Sequence, residues 1–167
     1  MSLIISASPH INSGVTTRSI MRDVLIALAP ALIAGTVIFG WRALLVTAVC
    51  TASCVFFEWG FEKLCKREST IGDLSAAVTG VILAFNLPVG IPLWQAVFGG
   101  LVAIVVVKQL FGGIGKNFAN PALVGRIVMF LAFSKSMTAW VFPDAVSSAT
   151  PLAQMAEGGA QDYLRLL

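Results

Sequence analysis

A run of small hydroxyl-bearing residues near the end of the chain is the first place where chemistry could occur. Ser147, Ser148 and Thr150 lie in a polar segment that begins at Asp144. A hydroxyl becomes a nucleophile or an attachment point only when a base or an enzyme activates it. Residues 143–167 contain no His or Lys that could act as this base. From composition alone the segment is typical of a turn after a membrane helix, and any modification of Thr150 requires an external transferase.

A glycine-rich loop, residues 112–122, is the second candidate. Gly113 and Gly115 allow the backbone to approach a ligand or another helix closely, and Asn117 and Asn120 add polar side chains. A phosphate-binding P-loop is excluded, because the lysine of this loop is followed by asparagine and the loop follows an apolar span rather than a strand. Two interpretations remain open: a tight turn between membrane helices, and a contact with a cofactor or an ion path.

Asp73 is the third candidate, because it stands at the edge of an apolar segment interrupted by Gly72 and Gly80. An ionisable residue in a membrane span is costly and is by default a functional hypothesis. Short spans interrupted by glycine or proline often line the sites of transporters. A carboxylate at this position could equally cap the start of a helix. The sequence leaves both alternatives open.

The remaining reactive residues favour structural roles. Cys50 and Cys54 share one face of a helix, and we expect them to be small buried hydrophobic residues rather than half of a metal site. No further Cys pair or neighbouring His completes a four-ligand centre, so no metal is expected. Glu58 and Glu62, one helical turn apart, are interpreted as a solvated pair beside basic residues. His10, the single histidine, is interpreted as a surface or docking residue.

The elements that must position these residues are membrane helices. Of 167 residues, 57% are hydrophobic and 11% are charged, and the mean hydropathy is +0.90. Soluble domains carry about 25% charged residues, so a soluble protein is excluded. We predict an all-α bundle with five spans, a membrane domain over residues 1–142 and a tail over 143–167, with neither a cleavable signal peptide nor nucleic-acid binding. The predicted spans are 24–40, 43–64, 71–87, 93–111 and 122–142.

The distribution of basic residues predicts the orientation. With a cytoplasmic N-terminus, eight of the 11 Lys and Arg residues lie on the cytoplasmic side, as the positive-inside rule requires. Five spans then place the tail and Thr150 outside the cytoplasm. The eight residues are Arg18, Arg22, Lys63, Lys66, Arg67, Lys108, Lys116 and Arg126.

A series of short motifs, in order from one end of the chain to the other, resembles one known family. The chain resembles the N-terminal half of RnfD, the D subunit of the Rnf electron-transport complex, and is more distantly similar to the B subunit of the sodium-translocating NADH:quinone reductase. The motifs are Ser8-Pro9-His10, Thr17-Arg18-Ser19-Ile20-Met21, Leu28-Ala29-Pro30-Ala31, Phe39-Gly40, Ser69-Thr70-Ile71-Gly72-Asp73, Leu83-Ala84-Phe85-Asn86-Leu87-Pro88, Val107-Lys108-Gln109-Leu110-Phe111-Gly112-Gly113, Asn120-Pro121-Ala122 and Asp144 through Leu152.

The resemblance implies a cofactor. Proteins of this family carry FMN joined through its phosphate to a threonine, and a dedicated flavin transferase attaches it outside the cytoplasm. Asp144, Ser147, Ser148 and Ala149 match the transferase recognition pattern, and Thr150 matches the acceptor. A covalent tether would hold the flavin at the outer interface without loss, while the flavin itself supplies the redox chemistry.

The resemblance also implies a function. The complex moves electrons between ferredoxin and NAD and couples this to sodium or proton movement across the bacterial inner (cytoplasmic) membrane. The expected partners are the other Rnf subunits, the flavin transferase and membrane lipid, and the chain is not expected to be an active enzyme alone. The alternatives are one half of a transporter or channel, and a membrane scaffold without a redox role. In the family the chain continues into a second membrane half, beyond the part that these 167 residues resemble, and Phe more often stands directly before the Asn-Pro pair.

Overall fold

The computed structural model describes residues 15–67 and 69–139, and every regular element in this part of the chain is helical. The predicted all-α fold class is therefore confirmed. The second and fourth helices begin and end close to the predicted spans, the first begins at Thr17 rather than at residue 24, and the third and fifth are shorter than predicted. The elements are α1 (Thr17–Phe39), α2 (Trp41–Leu64), a 3₁₀ turn (Ile71–Asp73), α3 (Ser75–Phe85), α4 (Leu93–Leu101) continuing as a π-helix (Val102–Gln109), α5 (Pro121–Ala132) and α6 (Ser134–Thr138).

Helices α1 and α2 are long and apolar enough to cross a membrane, with 23 and 24 residues. At about 1.5 Å per residue each exceeds the ~30 Å hydrocarbon core of a bilayer. No residue of α1 is buried against the rest of the described chain, although its composition is apolar. Large apolar side chains such as Val37 (80% exposed) and Leu131 (76%) point away from the bundle. An apolar exterior of this kind is stable only with lipid as the solvent, so the chain is a helical membrane protein.

The two ends of the bundle are defined by two sets of contacts. At one, here called the Arg42 end, the Arg42 guanidinium donates to the carbonyls of Val89 (3.0 Å) and Ile91 (3.3 Å). Trp94, at the start of α4, packs edge-on against Phe133, at the end of α5, with ring centroids 5.1 Å apart. The start of α2, the α3–α4 connection and the end of α5 therefore lie together.

At the opposite end, called the Lys108 end, the Arg67 guanidinium donates to the Gln109 carbonyl (3.1 Å) and the Lys108 ammonium donates to the Ser75 hydroxyl (2.5 Å). The end of α2, the start of α3 and the end of the π-helix thus meet here. Met21, near the start of α1, lines the same cavity as Ser75. Successive helices therefore alternate in direction, and the chain passes through the bundle five times.

Two of the five passages through the bundle are made by short helices. Helices α3 and α5 have 11 and 12 residues, or about 17 and 18 Å at 1.5 Å per residue. Predicted span 71–87 loses its first turn because Leu74 adopts a left-handed conformation (φ 64°), and α5 ends at Phe133 (φ −134°, ψ 48°) before α6 begins. Both are little more than half of the ~30 Å that a full crossing needs. The count of five full bilayer spans stays a prediction.

Helix α2 is the centre of the bundle and contacts α1, α3, α4 and the π-helix. Its buried face carries Cys50 and Cys54, both fully buried among apolar residues. The predicted packing role of the two cysteines is confirmed. Gly80 of α3 sits directly against the α2 backbone, since a Cβ at this position would lie 2.6 Å from the Thr51 Cα atom. The absence of a side chain here sets the closeness of α2 and α3.

Candidate functional site

A buried ion pair lies at the Lys108 end of the bundle. The Lys108 ammonium donates to Oε1 of Glu58 at 2.5 Å, and the two side chains are 2% and 0% exposed. The Gln109 amide donates to the same oxygen at 3.0 Å. Burying two charges is costly, and the cost is recovered only when the charges are paired and hydrogen-bonded, as they are here. The pair joins α2 to the π-helix across 50 residues of sequence.

The π-helix explains how two consecutive residues reach one carboxylate. Its i→i+5 hydrogen bonds widen the helix, so that successive side chains are rotated less than in an α-helix. Lys108 and Gln109 are each 2% exposed, and both contact Glu58. The wide turn ends where the Leu110 amide donates to the Val105 carbonyl (3.1 Å). Such π segments are frequent at functional sites.

A second carboxyl group is buried beside the pair. Glu62 is 3% exposed, and its Oε1 accepts the Thr70 backbone N–H at 3.0 Å and contacts the Thr70 hydroxyl closely. The Thr70 hydroxyl also lies 3.0 Å from Oε1 of Glu58. Interpreting the two glutamates as a solvated pair is therefore wrong, because the connection after α2 folds back over them. Lys63 instead lies over the Trp59 ring, 4.9 Å from its centroid.

Counting Lys108 among the charges of the cytoplasmic loops is also wrong, because its side chain is buried. Its ammonium neutralises Glu58 inside the protein and does not face the lipid headgroups. Arg126, on α5, donates to the Asn86 side-chain carbonyl at 2.9 Å and is partly buried. The other six of the eight residues still lie at or near the Lys108 end.

Asp73 lies one residue before Leu74, the N-cap residue of α3, and its side chain accepts from the start of that helix. Its Oδ1 accepts the backbone N–H of Ser75, the first residue of α3, at 2.9 Å, and the Ser75 hydroxyl at 2.6 Å. This geometry matches the second alternative that the sequence left open. Because the Ser75 hydroxyl also accepts from Lys108, Asp73 connects to the buried ion pair through one hydroxyl. An ion-path role for Asp73 stays a prediction.

Removing this cap tests its structural role. We expect Asp73→Ala to lower the free energy of unfolding by about 1 kcal/mol, the usual cost of losing a capping acceptor. Asp73→Asn keeps the acceptor and should lose less than half of that. Equilibrium unfolding in mixed micelles measures both, and equal losses in the two variants would contradict the capping role.

The glycine-rich loop packs beside the ion pair. The Gly113 N–H donates to the Lys108 carbonyl at 2.9 Å, and Gly113 has a positive φ of 93° that other residues rarely adopt. Gly115, Asn117 and Asn120 line a cavity of about 300 Å³ that Ser75 and Lys108 also line. The structure therefore brings the predicted loop residues and the Asp73 segment to the same end of the bundle.

Two helix N-termini give the cavity a partly positive electrostatic character. Helices α3 and α5 both begin beside it, and helix N-termini carry a partial positive charge. The first free N–H groups are met by Asp73 and by Asn120, whose side-chain oxygen accepts the Ala122 N–H at 3.0 Å. The Asn117 side-chain oxygen is buried and has no hydrogen-bond partner among the described residues. It is free to accept from a ligand N–H or O–H group, and the predicted cofactor or ion-path contact for these loop residues stays a prediction.

The predicted flavin site lies outside the described residues. This applies to Thr150 as acceptor and to the recognition residues Asp144, Ser147, Ser148 and Ala149, as well as to His10. Phe133, where α5 ends, lies at the Arg42 end, opposite the start of α1.

Sequence reasoning missed the residues that form the buried centre. The sequence contains a usable signal, since Glu58 and Lys108 both fall inside predicted spans, where an ionisable residue needs a partner. Thr70, Ser75 and Gln109 carried no such signal. Their role depends on contacts between helices far apart in sequence.

Comparison with known proteins supplies a family. The family model described as NQR2, RnfD, RnfE matches residues 4–167. The chain is 45% identical over 161 residues to the D subunit of the Na(+)-translocating ferredoxin:NAD(+) oxidoreductase complex of Acetobacterium woodii, covering 95% of this chain and 51% of that protein. It is 40% identical over 145 residues to the D subunit of the ion-translocating oxidoreductase complex of Halorhodospira halophila, covering 86% and 41%.

A third relative extends the range of organisms. The D subunit of the ion-translocating oxidoreductase complex of Escherichia coli O7:K1 is 33% identical over 174 residues, covering 97% of this chain and 49% of that protein. The chain thus spans about half the length of the curated relatives it matches.

Proposed function

Because the chain belongs to the NQR2, RnfD, RnfE family, we propose that it serves as the D subunit of an ion-translocating ferredoxin:NAD oxidoreductase complex in the bacterial inner membrane. The observation that carries the proposal is 45% identity over 95% of the chain to a relative of that name. The protein relays electrons, and the complex couples this relay to sodium or proton transport. Its partners are the other subunits of the complex.

The proposed electron carrier is FMN, held by a phosphoester on Thr150. The support is the residue pattern from Asp144 to Thr150, in which Ser147, Ser148 and Ala149 directly precede the acceptor. The passage of the chain from the Lys108 end to the Arg42 end supports an extracytoplasmic position for this segment. The protein's contribution is to fix the flavin at the outer interface at high effective concentration.

Removal of the acceptor hydroxyl tests this assignment. In cells that contain a flavin transferase, Thr150→Val is expected to abolish the fluorescent flavin band on a denaturing gel and the mass increment of covalent FMN. Thr138→Val is the matched control, because it removes a threonine hydroxyl in α6 that lies outside the recognition pattern. A flavin band that survives in Thr150→Val would show that the acceptor is another residue.

A transporter half without a redox role is the second candidate. The observation that favours it is the meeting of two short helices, α3 and α5, beside a polar cavity, an arrangement found where transporters bind their substrates. The two candidates differ in one measurement. Purified flavin-free protein that moves a solute across vesicles would favour the transporter, and transport that requires flavin and electron flow would favour the redox role.

A further inference from the structure

The Thr70 hydroxyl stands between two buried carboxyl groups. Its oxygen lies 3.0 Å from Oε1 of Glu58 and in closer contact with Oε1 of Glu62. A threonine hydroxyl has one hydrogen, so it can donate to one of these oxygens only. The other contact then places two acceptor oxygens together, unless that carboxyl group carries a hydrogen of its own.

The remaining contacts distinguish the two carboxyl groups. Oε1 of Glu58 accepts from the Lys108 ammonium (2.5 Å) and the Gln109 amide (3.0 Å), contacts that stabilise a carboxylate. Oε1 of Glu62 accepts one backbone N–H, from Thr70, and contacts no ammonium or guanidinium group within residues 15–67 and 69–139. Both groups are at least 97% buried, and the second oxygen of each has no partner among the described residues.

Charge balance also distinguishes the two carboxyl groups. One ammonium, on Lys108, can neutralise one of the two carboxylates, and a second ionised carboxylate without a partner is very costly to bury. Among the described residues, the other charged groups nearby do not supply the balance. The Arg67 guanidinium donates to a carbonyl and lies over the Phe61 ring, and Asp73 adds a further negative charge through Ser75. The Cys54 thiol is buried on the same face of α2.

We propose that this cluster is a proton-binding site, in which Glu62 holds one proton and donates it to the Thr70 hydroxyl, while Thr70 donates to the ionised Glu58. The arrangement gives the Thr70 hydroxyl hydrogen and the Glu62 proton one acceptor each, and it leaves no net charge between the two glutamates and Lys108. A metal cation at the same oxygens would lie beside the Lys108 ammonium and would be repelled by it. The site does not depend on flavin attachment and is independent of the proposed redox function.

Infrared spectroscopy of the full chain in lipid vesicles at neutral pH tests the site. The spectrum is expected to contain the carbonyl stretch of a protonated carboxylic acid, and Glu62→Gln is expected to remove it. Glutamine has the shape and hydrogen-bonding groups of a neutral carboxyl, so this variant should unfold at nearly the wild-type temperature. Asp23→Asn, which changes an exposed carboxylate in α1, is the matched control and should keep the band.

A second variant keeps the test decisive if Glu62→Gln does not fold. Thr70→Val removes the oxygen that accepts from Glu62, so the carbonyl stretch should shift in frequency. Absence of the band in wild type, or its full survival in Glu62→Gln, would overturn the proposal. A band that appears only after sodium is removed would also overturn it, because the resident ligand would then be a metal cation.

Discussion

Replacing Lys108 with methionine is expected to lower the free energy of unfolding by about 3–5 kcal/mol, the typical loss when one partner of a buried ion pair is removed. Methionine has a similar length and fits the space left by the lysine stem, so little of the loss comes from packing. The cost arises because the Glu58 carboxyl group, which is 0% exposed, loses the ammonium that lies 2.5 Å away and no other cationic group among the described residues replaces it. Equilibrium unfolding in mixed micelles, followed by helical circular dichroism, measures the change.

Two comparisons separate this effect from a general loss of charge. Lys116→Met removes an exposed lysine of the neighbouring glycine-rich loop and should change stability by less than about 0.5 kcal/mol. The double variant Lys108→Met with Glu58→Gln removes both charges and should recover a large part of the loss. If Lys108→Met does not fold, a folded double variant would equally show that the unpaired Glu58 causes the loss. Equal stability of Lys108→Met and Lys116→Met would contradict the buried ion pair.

Gly80→Ala is expected to be the most damaging glycine substitution in the described part of the chain. The new methyl group would lie 2.6 Å from the Thr51 Cα atom and 3.0 Å from the Cys50 carbonyl oxygen. Both are backbone atoms of α2, so no flexible side chain can move aside, and α2 and α3 must separate. We expect a loss of about 1–3 kcal/mol, the usual cost of overpacking a close-packed interior. Thermal unfolding in detergent measures it.

Gly60→Ala is the matched control. It lies in α2, near the opposite end of the helix from the Arg42 contacts, and nothing is within 4 Å of the added methyl group. Alanine favours the helical backbone over glycine by roughly 0.5–1 kcal/mol, so this variant should be as stable as wild type or more stable. A loss in Gly60→Ala equal to that in Gly80→Ala would show that the effect is not caused by contact between the helices.

The buried ion pair lies where the two short helices begin. Helices α3 and α5 do not reach the length of a bilayer, and both begin at the Lys108 end beside one polar cavity. Lys108 and Ser75 line that cavity, and Glu58 is paired with Lys108. An interrupted span is tolerated where it lines such a protein interior rather than lipid.

Part of the candidate site could be predicted from sequence because its signals are local. Asp73 before an apolar run, and a loop with Gly115, Asn117 and Asn120, are unusual residues at recognisable positions. Each was identified alone, and their proximity to one another was not. The cavity that joins them forms only when the start of α3 meets the start of α5.

The sequence by itself determined that lipid surrounds this protein, that its elements are helices and that these helices alternate in direction. These features follow from apolar runs of span length and from the placement of basic residues, and both are local properties of the sequence. The tertiary structure decided which charges are buried, which carboxyl groups lie on one hydroxyl, and where helices stop short. Glu58 and Lys108 are 50 residues apart, and their pairing depends on the distance between α2 and the π-helix. A hydropathy pattern records how apolar each segment is. It does not show which polar groups, far apart in sequence, form hydrogen bonds with each other.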